Sequence, residues 1–85
     1  MELNELRLIS QYCDRKYNGS IMHNISILQK YKINVKLLID EKGNVRYVVG
    51  LDNISNSDMS TDDFYSLCEN GWQIENDNEF VYRIK

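Results

Sequence analysis

Proline is absent from this chain, and glycine occurs only four times in 85 residues. No fixed-φ residue interrupts a helix or strand, and only a few positions carry the freedom that a positive φ demands. Two cysteines, Cys13 and Cys68, are too few for the disulfide framework of a small secreted domain. With a single histidine, His23, they also cannot supply four zinc ligands at motif spacing. The longest apolar runs, Leu37 to Ile39 and Val48 to Val49, are far short of a membrane-spanning helix. No charged start followed by an apolar stretch marks a signal peptide, so a reduced, cytoplasmic setting is expected, with no membrane contact.

Basic residues are missing from one long stretch. Between Asp52 and Glu79 the chain carries eight acids and no Lys or Arg. Residues 1–50 hold eight Lys/Arg against five Asp/Glu, a balance of +3. Residues 51–85 hold two against eight, a balance of −6, which together give the net charge of −3. Such polarity makes a local field rather than a uniform one.

What is present suffices for one hydrophobic core. Apolar residues make up 42% and aromatics 11%, so an ordered α+β domain spanning 1–85 is expected. Leu3, Leu6, Ile9 and Cys13 recur at helical spacing, widened by Leu8 and Tyr12. They predict a helix from Leu3 to Lys16 that stops at Asn18-Gly19. Residues 20–31 fit two readings. Ile21, Ile25 and Leu28 share a helical face, whereas Ile21, Ile25 and Ile27 share a strand parity that their β-branching favours, and the balance leans to a strand. Val35, Leu37 and Ile39 alternate, Asp40 to Asn44 turn the chain at Gly43, and Val45, Tyr47 and Val49 alternate on the return. Residues 51–59 read as a polar loop.

The next helix has the fullest local grammar. Ser60 is placed to cap it, with Asp63 three residues on as a short capping-box acid. Met59 and Phe64 stand at staple positions, and Gly71 at C′ would bring Trp72 onto Leu67. Trp72 and Ile74 then lead through Asn76-Asp77-Asn78 into a strand carrying Phe80, Tyr82 and Ile84. The expected architecture is an antiparallel sheet of β-hairpins packed against two short helices.

No constellation points to catalysis, to a bound metal or to a cofactor. His23 lacks a metal or nucleophile motif, and a Cys13–His23 dyad would need a third group to orient the ring. Asp52, Asp58, Asp62 and Asp63 miss calcium-loop spacing, since Ile54 stands where a ligand belongs. Glu75, Asp77 and Glu79 surround a turn without a cleft. Arg7, Arg15, Lys16, Lys30, Lys32, Lys36, Lys42 and Arg46 could form a nucleic-acid surface, and a basic regulator is one alternative function. Direct nucleic-acid binding is nonetheless disfavoured, because the helix before the last hairpin carries Asp62, Asp63 and Glu69 and no base. A homo-oligomer paired through a strand edge is another alternative, so the chain is expected to be a monomer or a small homo-oligomer.

The run from Val35 to Trp72, with Gly43-Asn44, Tyr47-Val48, Phe64 and Asn70-Gly71-Trp72, resembles small acidic phage-encoded anti-CRISPR proteins of the Cas9-inhibiting type. In that type a glycine-turn hairpin leads through an acidic loop to a helix closed by Asn-Gly-Trp. The final hairpin departs from it, since the type continues into another helix. The resemblance implies a non-enzymatic inhibitor that mimics nucleic-acid charge and occludes a basic groove, here possessed by a CRISPR effector nuclease. The acids it designates are Asp52, Asp58, Asp62, Asp63 and Glu69. Glu75, Asp77 and Glu79 join the partner-binding set on charge alone.

Overall fold

Leu6 is fully buried and Leu3 and Ile9 pack beside it, which sets the inner side of the first helix, α1 (Leu3–Tyr12). A computed structural model describes residues 1–16 and 21–84. The helix ends four residues short of Lys16, because Cys13 turns to extended backbone (φ −69, ψ 139). From there the chain folds inward. Cys13 enters the core, Arg15 Nη2 donates to Ser10 Oγ at 3.0 Å, and Lys16 N–H donates to the Glu69 carbonyl at 2.7 Å. Leu8 and Tyr12, expected to widen the stripe, are instead exposed. The expected stop at Asn18-Gly19 lies outside the described residues.

Residues 21–30 correct the strand expectation. They form a second helix, α2 (Ile21–Lys30). Asn24, Ile27 and Leu28 are buried and Ile21 and Ile25 are half-buried, which is a helical stripe rather than an alternating one. The β preference of three isoleucines is worth a few tenths of a kcal/mol each, so tertiary burial decides.

The hairpin is built as expected from β1 (Lys36–Ile39) and β2 (Val45–Gly50), with Gly43 at φ 82 in its turn. Asp40 accepts from the Lys42 and Asn44 N–H groups at 2.8 and 2.9 Å and so holds that turn closed. The polar loop after it is also corrected. Leu51–Ser55 is a one-turn helix, α3, because Leu51 and Ile54, three apart, both bury.

The helix α4 (Thr61–Glu69) follows its local grammar. Asp63 N–H donates to Ser60 Oγ at 3.1 Å, and both Met59 and Phe64 enter the core. At the other end Gly71 takes φ 111, Gly71 N–H donates to Cys68 O and Trp72 N–H to Leu67 O, each at 3.1 Å. That pair of bonds is the Schellman arrangement. A last hairpin, β3 (Gln73–Glu75) and β4 (Glu79–Ile84), completes an antiparallel sheet in the order β1-β2-β4-β3.

The result is a small single-domain α+β fold in which, among the described residues, four helices, not two, pack against a four-stranded antiparallel sheet. One core joins them. Phe64 stacks on Phe80 at 4.9 Å between centroids, Phe80 on Trp72 at 5.4 Å, and Trp72 meets Tyr82 at 5.6 Å. This aromatic row fastens α4 to β4. Among the described residues no helix is long and apolar enough to cross a membrane.

Candidate functional site

Two helices set where the acids sit. Ser55 Oγ donates to the Met1 carbonyl at 2.6 Å, and Thr61 Oγ1 lies 3.6 Å from Met1 Sδ, so α1 begins beside α3 and the start of α4. At the far end Lys16 meets Glu69. The helices α1 and α4 therefore run in the same direction and open at one end of the molecule. The β3–β4 turn folds onto that end too, where Leu51 N–H donates to Asn78 O at 2.8 Å and Arg7 Nη2 to Asp77 O at 3.2 Å.

The eight acids divide into two groups. Three are engaged by cations. Lys30 Nζ lies 3.1 Å from Asp63 Oδ2, Lys16 Nζ 3.5 Å from Glu69 Oε2, and Arg83 Nη2 2.5 Å from Glu75 Oε1. The other five, Asp52, Asp58, Asp62, Asp77 and Glu79, have no ion pair among the described residues. All five belong to the end where the helices open. Asp52 is in the first turn of α3, Asp58 lies between α3 and α4, and Asp62 is in the first turn of α4. Asp77 occupies the turn, and Glu79 pairs in register with Gly50 immediately before α3. Glu2 and Glu5, which the charge count did not single out, join them at the start of α1.

A second origin for this clustering is local. Helix amino ends carry partial positive charge and favour acids in their first turns. Glu5, Asp52, Asp62 and Asp63 all hold such positions. Parallel helices thus concentrate negative side chains where sequence distance gives no hint of it.

Asp63 acts within the fold. Its carboxylate accepts from Tyr31 Oη, and Tyr31 Oη in turn accepts from Ser60 N–H at 3.3 Å. The tyrosine hydroxyl relays the return half of a capping box that aspartate is too short to close. The Tyr31 hydrogen bond first, and then Lys30, hold the Asp63 carboxyl below its usual range.

The chain matches no known family model, curated protein or solved structure.

The remaining candidates take structural places. Cys68 is fully buried, and desolvation pushes its thiol up to about 12, while Cys13 beside it is also raised, chiefly by burial. Neither sulfur is a ready nucleophile at neutral pH. His23 is exposed on α2. Among the described residues no group of three His, Cys, Asp or Glu could hold a metal ion. Several basic residues of the first half are committed as well. Lys16 and Lys30 face acids, and Arg15 is bound to Ser10 and the Trp72 carbonyl. Trp72 is fully buried, and among the described residues the exposed aromatic groups are Tyr12 and Tyr65.

Proposed function

We propose that this chain is a small, non-enzymatic, phage-encoded inhibitor acting in the host cytoplasm. It docks an acidic end on the basic groove of a nucleic-acid-binding protein, with a CRISPR effector nuclease as the partner. The observation that carries this reading is the group Asp52, Asp58, Asp62, Asp77 and Glu79. These acids come from two separate segments, 52–62 and 77–79, lie at one end, and have no ion pair among the described residues. Glu2 and Glu5 extend the group.

The physics is that of a duplex surface. Spaced carboxylates attract Lys and Arg side chains over roughly a Debye length, ~8 Å at physiological salt, and accelerate encounter. Affinity then needs contacts that exclude water, for which Tyr65 on α4 is a suitable anchor. Asp63, Glu69 and Glu75 leave the partner-binding set in this proposal, because their charge is spent inside the fold.

A competition experiment tests it. A CRISPR effector nuclease loaded with guide is titrated with the chain, and target-DNA binding is followed by fluorescence anisotropy. The chain is expected to displace DNA, with a potency that falls as salt rises from about 50 to about 200 mM. DNA binding unaffected at a large excess of the chain counts against the proposal.

A further inference from the structure

The strand β1 is the outermost strand of the sheet and pairs on one side only, with β2. Asp40 N–H donates to the Asn44 carbonyl at 3.0 Å, which makes 40 and 44 a hydrogen-bonded pair of the ladder. By the alternation of antiparallel pairs, Leu38 and Lys36 also direct their backbone groups to β2. Leu37 and Ile39 direct theirs outward. Their side chains are 53% and 67% exposed, and by register they share a face with Ile84, itself 43% exposed. This edge has little of the protection that natural edge strands use: it is apolar, and Lys36 is its single charge.

We propose that β1 pairs antiparallel with β1 of a second copy of this chain, joining two four-stranded sheets into one of eight. The register follows from the outward groups. Pairing both outward residues of β1 with each other sets Leu37 against Ile39 of the second copy and Leu38 against Leu38, and the arrangement repeats by twofold symmetry. Two outward residues per chain then exchange four backbone hydrogen bonds. The same register sets Lys36 opposite Asp40 of the second copy, twice. Asp40 accepts from Asn44 N–H and Nδ2 and then from Lys42 N–H, which pin its carboxylate in place and keep it ionised. The edge is thus self-complementary in hydrogen bonds and in charge, while Leu37 and Ile39 of both chains meet as cross-strand apolar pairs. These features select a second copy over an unrelated strand. Only residues 36–40 of each chain pair, so the dimer belongs to the small, readily exchanging class of interface. It involves the sheet edge rather than the acidic end and stands independently of the proposed function.

Sedimentation equilibrium from about 10 µM to about 1 mM chain, a span suited to a small interface, tests the pairing. A monomer–dimer equilibrium is expected. Ile39→Lys and Lys36→Glu should each raise the dissociation constant at least tenfold, with unchanged circular dichroism reporting an intact fold. Amide exchange supplies a register-specific readout: protection at Leu37 and Ile39 should rise with concentration. A strict monomer at the highest concentration overturns the proposal. So does a dimer that leaves those two amides unprotected or that forms equally well in both variants.

Discussion

Between α2 and the end of α4, Asn70 Nδ2 donates to Asn24 Oδ1 at 2.8 Å, and both residues are buried. Deleting one partner leaves the other desolvated without a bond, a cost of about 1–3 kcal/mol. Urea denaturation of Asn24→Ala should show a loss of that size, and combining it with Asn70→Ala should cost less than the two single losses added. Asp63 offers a second test at this scale. Its carboxyl titrates lower in the fold than in the unfolded chain, where the value is about 3.9. Its stabilisation is therefore complete above that unfolded value and fades as pH falls through the lower, folded one. Thermal melts between pH 6 and pH 2 should show a smaller acid-induced drop for Asp63→Asn than for the parent, and a lower melting temperature at pH 6. The Ser60–Asp63 cap was legible because its partners lie three residues apart. The Tyr31 relay was not, because it joins residues whose separation only the packing of α2 on α4 removes.

The elements divide along the same line. The α4 helix and both hairpins were readable because their start and stop signals are local: Ser60, Gly71, Gly43 and the Asn76–Asn78 turn. Gly71 makes that reading testable. At φ 111 a Cβ is strained, so Gly71→Ala should cost about 1–2 kcal/mol in denaturant unfolding. Neither α2 nor α3 is fixed by its own residues, for different reasons. In α2 the β-branched isoleucines argue for a strand, and only the burial of Asn24 beside Asn70 makes the helical face decisive. In α3 the helix is one turn long, too short for periodicity to appear, and Leu51 and Ile54 are its only apolar signal. The α1 helix ends early because Cys13 leaves it to meet the core, a demand set by the position of α4.

On the scale of the whole molecule, the sequence made the excess of acid plain but not its disposition. Eight acids between Asp52 and Glu79 look alike in the chain, yet Lys16, Lys30 and Arg83 neutralise three of them. Two of those cations belong to the basic first half, so folding cancels part of the polarity that the halves display when counted apart. What remains gathers at one end because the β3–β4 turn folds against the start of α3, close to where α4 begins, and no local rule announces that contact. The candidate site was thus legible as a composition and illegible as a place. Charge reversal separates the two groups of acids. Lys substitutions at Asp63 or Glu75 should lower stability through lost ion pairs, whereas Asp52, Asp62 and Asp77 are exposed and free to be reversed without unfolding. The most direct measurement is the affinity of the Asp52→Lys, Asp62→Lys, Asp77→Lys triple variant for a CRISPR effector nuclease, read by calorimetry beside the parent chain at physiological salt. The account predicts tight binding by the parent and a loss of about a hundredfold or more in the variant, from several interfacial charge pairs turned repulsive. Equal affinities in the two chains, or a parent that does not bind, would contradict it.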